Sequence, residues 1–162
     1  MGIENMFSVF DISSSGLSAE RIRMNVIANN IANANATETP EGGPYRREQV
    51  EFSSLLNKTM KNNNIKGAER LGGVKVQRIM KSNEPFNKIY NPGHPKADAK
   101  GFVDMPNVSV MMEMVDLVTA SRSYEANLAV INSTKDMNNR ALSIIGKDIW
   151  KWKLQTATKD LT

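Results

Sequence analysis

Two stretches, one at each end of this 162-residue chain, repeat large residues at helical spacing. Ile3, Phe10, Leu17, Met24 and Ile31 recur every seven residues. Val110, Met114, Leu117, Ser121, Tyr124, Leu128, Ile131, Lys135, Asn138, Leu142 and Ile145 alternate steps of four and three. Such a period lies along one side of a helix and is scattered on a strand. Long helices are therefore predicted over residues 1–36 and 107–146, separated by a segment, 37–106, of different composition. Residues 147–162 form a tail beyond Gly146, a suitable helix-ending glycine. The predicted class is α+β: long N- and C-terminal helices forming an α-helical, coiled-coil-like domain, with a small β-rich middle segment.

Local signals refine this layout. The first helix carries a soft point at Ser13, Ser14, Ser15 and Gly16, where a kink is expected because serine and glycine are weak helix formers. Thr37 to Pro44 is rich in proline and glycine and breaks the helix. Strands are predicted over Tyr45–Phe52, around Val74, Val76 and Met80 on one face, over Phe86–Tyr90, and at Phe102–Val103. A short helix is expected over Ser53–Met60 and a loop at Asn62, Asn63 and Asn64. Asn107 is expected to cap the second helix. Asn25, Asn29 and Asn33 recur every four residues beside Asn30. Two readings stay open for them, a solvated polar face and hydrogen bonds that set helix register.

Composition excludes several functions. With no cysteine, the chain has no disulfide framework, thiolate metal site or cysteine nucleophile. The net charge of +4 is not concentrated along either helix, as nucleic-acid recognition would favour. His94 is the sole histidine and sits in a proline-glycine turn, so no His-based catalytic or metal constellation is expected. No phosphate-binding glycine loop appears. No enzyme activity, cofactor or small-molecule substrate is therefore expected. Glu4 and Asp11 interrupt the start where a secretory leader would be apolar, so no cleaved signal is expected. No apolar run approaches the roughly 18 residues of a membrane span. The predicted helices are long for so small a β module, and they are expected to complete their packing against neighbouring subunits.

Several ordered stretches carry a resemblance. Asn25 to Ala34 (Asn-Val-Ile-Ala-Asn-Asn-Ile-Ala-Asn-Ala), Pro44-Tyr45-Arg46-Arg47, Gly72-Gly73-Val74-Lys75-Val76, Tyr90 through Gly101, Met105-Pro106-Asn107-Val108 and Ala120 to Asn127 resemble the flagellar rod and hook axial proteins. Taken in order, they are most similar to the short, proximal-rod members. The resemblance implies a non-enzymatic subunit of the bacterial flagellar basal body, exported without signal cleavage and assembled helically into the periplasmic rod that transmits torque. The implied partners are further copies of the chain, the rod proteins FlgB, FlgF and distal FlgG, the rod adaptor FliE, the MS ring and the flagellar export apparatus. The implied subunit interface comprises Phe10, Leu17, Met24, Asn29, Asn30, Ile31, Asn33, Met114, Leu117, Tyr124, Asn127, Leu128, Ile131, Leu142 and Ile145. Another axial subunit, or a cytosolic helical export chaperone, is the alternative reading.

Overall fold

The computed structural model describes the backbone of residues 3–57 and 70–159, and side chains over 8–55 and 72–143. In chain order the elements are α1 (Ile3–Ala32), β1 (Glu48–Asn57), β2 (Arg70–Lys81), β3 (Asn87–Tyr90), β4 (Phe102–Met105) and α2 (Val110–Lys159). β1 and β2 form one two-stranded antiparallel sheet, β3 and β4 another. The class is α+β, as expected from the alternation of seven-residue and two-residue periods.

The helices run antiparallel. Asn30 meets Glu113, Arg23 meets Asp116, and Gly16 lies against Asn127, so positions rise along α2 as they fall along α1. α1 has 30 residues, about 45 Å, whereas the 50 residues of α2 span about 75 Å. The contact stripe on α1 is not the apolar seam read from the sequence. It runs through Ser13, Gly16, Ala19, Val26, Ile27 and Asn30, all buried, while Phe10, Leu17, Met24 and Ile31 flank it half-covered. At Gly16 the missing side chain lets Asn127 of α2 approach, and a larger residue there would hold the two backbones apart.

That approach also corrects the expected kink. α1 continues through Ser13–Gly16, because a Cβ added at Gly16 would come within 3.0 Å of Asn127 Nδ2 and Ser15 is tied to β2. The glycine admits the second helix, and packing outweighs a propensity deficit of about 1 kcal/mol. α1 closes at Asn33, whose backbone and side-chain nitrogens both donate to Asn29 O, at 3.1 and 2.9 Å.

Four further boundaries differ from expectation. β1 starts at Glu48, not Tyr45, since Tyr45 N donates to Ala36 O and Arg47 N to Asn107 Oδ1. Ser53–Asn57 continue β1 rather than starting a helix, because β2 supplies the ladder that local propensity cannot foresee; positions 58–60 and the expected loop at 62–64 lie outside the described residues. Val74 and Val76 are half-buried but Met80 is exposed: the register shift between Glu51 and Phe52 leaves Gln77 unpaired, and from Gln77 to Lys81 both faces of β2 are exposed. α2 begins at Val110 with Ser109 in the capping position, its carbonyl accepting from Glu113 N at 2.9 Å.

The far end of α2 is also longer than predicted. The helix passes Gly146 and reaches Lys159, so the segment after 146 extends it rather than forming a separate tail. One interior glycine costs only about 1 kcal/mol, and the residues after it are mostly able helix formers. The Trp150 and Trp152 side chains lie outside the described residues.

Candidate functional site

Among the described residues, a polar cluster is fully enclosed. Where the end of α1, the start of β1 and the start of α2 converge, the largest fully buried side chains are Glu113, Asn30 and Pro106. Asn30 donates from Nδ2 to Glu48 O at 2.8 Å and to Glu113 Oε2 at 3.0 Å. Its Oδ1 accepts from Glu48 N and from the Tyr45 hydroxyl, each at 2.9 Å. The amide thus imitates a neighbouring strand for β1 while binding the carboxylate of α2.

Arg47 closes the cluster. Its Nε donates to Glu113 Oε1 and its Nη2 to Asp116 Oδ2 at 3.2 Å, while Arg23 Nη2 lies 3.7 Å from Asp116 Oδ1. Asn107, expected to cap the helix, is instead buried between chain segments: Oδ1 accepts from Arg47 N at 2.9 Å and Nδ2 donates to Glu84 O at 3.1 Å. Burial pushes the Tyr45 hydroxyl pKa up to about 12, with the nearby Glu48 and Glu113 charges adding to the effect. A buried charge is tolerated only when paired and hydrogen-bonded, and Glu113 meets both conditions. This clasp sets the β segment on the helix pair.

β1–β2 meets the helices again farther along. Ser15 Oγ donates to Ile12 O at 2.7 Å and accepts from Val74 N at 3.0 Å. Gly73 has φ of +107°, and a Cβ there would come 2.2 Å from Ser15 Oγ, so this approach requires glycine.

Among the expected interface residues, the structure separates two groups. Asn30 is 1% exposed with both ends of its amide engaged, leaving no group for another subunit. Asn29 and Asn33 pair with each other at the helix end, and Asn127, half-buried, donates to Ser123 O within its own helix. Phe10, Leu17, Met24, Ile31, Leu117, Tyr124 and Ile131 are half-buried, and Met114, Leu128 and Leu142 are exposed. The Ile145 side chain lies outside the described residues.

Outside that set, the sequence reading missed Arg47, Glu113, Asp116, Tyr45 and Asn107 as site residues. A usable signal existed for one of them. Glu113 interrupts the otherwise apolar run Val110-Met111-Met112 and Met114-Val115, and a charge placed there needs a partner. Among the described residues, no group of His, Cys, Asp and Glu is placed to hold a metal ion, and no helix is long and apolar enough to cross a membrane.

The two family signatures fall on the segments that carry α1 and the first part of α2. A family model described as "Flagella basal body rod protein" matches residues 10–39, and one described as "Flagellar basal body rod FlgEFG protein C-terminal" matches residues 99–144. The chain is 43% identical to the flagellar basal-body rod protein FlgC of Borreliella burgdorferi, over 86% of this chain and 97% of that protein. It is 45% identical to the FlgC of an Escherichia coli strain over 86% and 97%, and 42% identical to that of Bacillus subtilis over 85% and 97%. The chain belongs to the FlgC family of flagellar basal-body rod proteins. The fold joins the motif words read separately above: Arg47 and Asn107 meet in the clasp, and Asn127, at the end of the Ala120–Asn127 word, lies against Gly16. FlgC proteins are structural rod components.

Proposed function

We propose that the chain is the proximal-rod subunit of a bacterial flagellum, exported without a cleaved signal and assembled helically in the periplasm to transmit torque. The observation that carries this reading is an unfinished surface. Met111, Val115 and Val118 are 77%, 60% and 53% exposed on the long helix, and Leu128 and Leu142 are exposed farther along. Together with the half-covered Phe10, Leu17, Met24 and Ile31, they exceed what scattered surface apolars require. Coiled-coil-like packing of α1 and α2 against neighbouring subunits covers them. Ile145 joins this interface, residues 1–36 and 107–146 serve as its axial helices, and residues 37–106 face outward or contact neighbouring rod proteins. The partners are further copies, FlgB, FlgF, FlgG, FliE, the MS ring and the export apparatus.

The test scores export and assembly separately for Ile31→Asp and Leu128→Asp. Each variant is expected to be secreted yet to give few or no rods in purified basal bodies. Normal rod yield from both would remove the proposed interface, and absence of the unaltered chain from basal bodies would remove the rod assignment.

A further inference from the structure

Between α1 and the β1–β2 sheet lies an open groove of about 510 Å³, walled by Ile12, Ala19, Phe52 and Val74. Glu20 lines it, and its Oε2 is shielded from water without receiving a hydrogen bond. Its ion pair is loose: Arg23 Nη1 lies 3.9 Å away, and the same guanidinium reaches to Asp116. An apolar groove with an under-satisfied carboxylate suits an apolar side chain followed by a cation.

The chain carries that pattern elsewhere. Met111, Val115, Val118 and Arg122 follow steps of four, three and four along α2, so they share one face. That face is opposite the buried Glu113 and Ala120, which point toward α1 and the clasp. Its three apolar residues are exposed, and Arg122 makes no ion pair among the described residues. Because the stripe points away from α1, it cannot reach the groove of its own molecule.

We propose that this α2 stripe of one copy seats in the groove between α1 and β1–β2 of the next, bringing Arg122 to Glu20. The contact joins two different patches, so it is heterologous and repeats from copy to copy, giving a ring or a helical array. It rests on the rod-subunit reading and adds to it a specific docking pair. Apolar burial supplies the contact, and the carboxylate–guanidinium pair sets its register.

The absence of native cysteines makes the contact directly testable. Two chains, one with Ser54→Cys at the groove and one with Val118→Cys on the stripe, are co-expressed, and purified basal bodies are oxidised. A disulfide-linked dimer requiring both variants is expected, with the linkage mapped by peptide mass spectrometry. In parallel, Glu20→Arg and Arg122→Glu are each expected to reduce incorporation into basal bodies by at least about tenfold, the loss typical of breaking a desolvated charge pair. The double exchange should restore it, with circular dichroism of each purified chain reporting its fold. Chains present in basal bodies but forming no 54–118 dimer would overturn the proposal, as would a double exchange no better than the single ones. Absence of the unaltered chain from basal bodies would overturn the rod reading beneath it.

Discussion

The clasp and the β3–β4 hairpin are neighbours in the chain but opposite in construction. At the clasp, polar groups are enclosed and saturated: Asn30, Glu113 and Arg47 tie three segments together with no room for adjustment. In the hairpin, all four residues of β3 are exposed, Tyr90 rests edge-on against Phe102 at 5.4 Å, and the turn is held by Asp98 accepting from Phe102 N and Lys100 N. Hydrogen bonding to Phe102 N, foremost, holds the Asp98 carboxyl below its usual pKa. Both regions use carboxylates and cations. Only enclosure distinguishes them, and enclosure decides how much each interaction is worth.

Breaking the clasp at its centre gives the largest expected effect. Glu113→Ala leaves Arg47 and Asn30 without their buried partner and should lower unfolding free energy by about 3–5 kcal/mol in denaturant titrations. Asp116→Ala, in the same cluster but 39% exposed at the side chain, should cost no more than about 1 kcal/mol. Equal losses for the two would show that enclosure is not the governing variable.

Next comes the second attachment of the sheet. Gly73→Ala forces a side chain into a left-handed backbone and against Ser15, and should cost about 2–3 kcal/mol. Thermal unfolding measures it, and an unchanged midpoint would mean that β2 does not depend on that close approach.

Tyr45→Phe removes one hydroxyl from the clasp and should cost about 1 kcal/mol at neutral pH. The pH profile is more diagnostic. The unfolded hydroxyl titrates near 10 and the folded one near 12, so its contribution is intact below pH 10 and falls as pH rises toward 12. The variant should lack that component of the alkaline decline, and parallel profiles for the two proteins would refute the assignment.

The hairpin supplies the smallest effect. Lys88 and Asp104 approach to 3.9 Å with both side chains more than half exposed, so Lys88→Ala should change stability by less than about 0.5 kcal/mol. A loss comparable to that of Glu113→Ala would erase the contrast between the two regions.

Much of this arrangement was legible in the residues. Helical periods at both ends, turn residues at Thr37–Pro44 and strand alternation around Val74 are properties of neighbours a few positions apart. The apolar seam of α1 was legible too, but the buried stripe of that helix lies beside it. Large side chains dominate a periodicity reading, whereas the close approach to α2 falls on Gly16. The asparagine series hid a similar division: Asn29 and Asn33 close a helix locally, while Asn30 bonds to residues 18 and 83 positions away. No local pattern separates them.

The two terminal helices, the α+β layout and the family signatures were legible in the residues alone, because they depend on short-range stereochemistry and ordered motif words, whereas the strand over Ser53–Asn57 was not. Packing of distant segments set the enclosure of Glu113, the use of Asn107 to join segments instead of capping a helix, and the exposure of both faces of β2 beyond Gln77. The same packing left the shielded Oε2 of Glu20 without a hydrogen bond and one face of α2 without cover. Those outcomes depend on which distant groups share a small, weakly solvated space, and burial and hydrogen-bond satisfaction exist only once the segments have met.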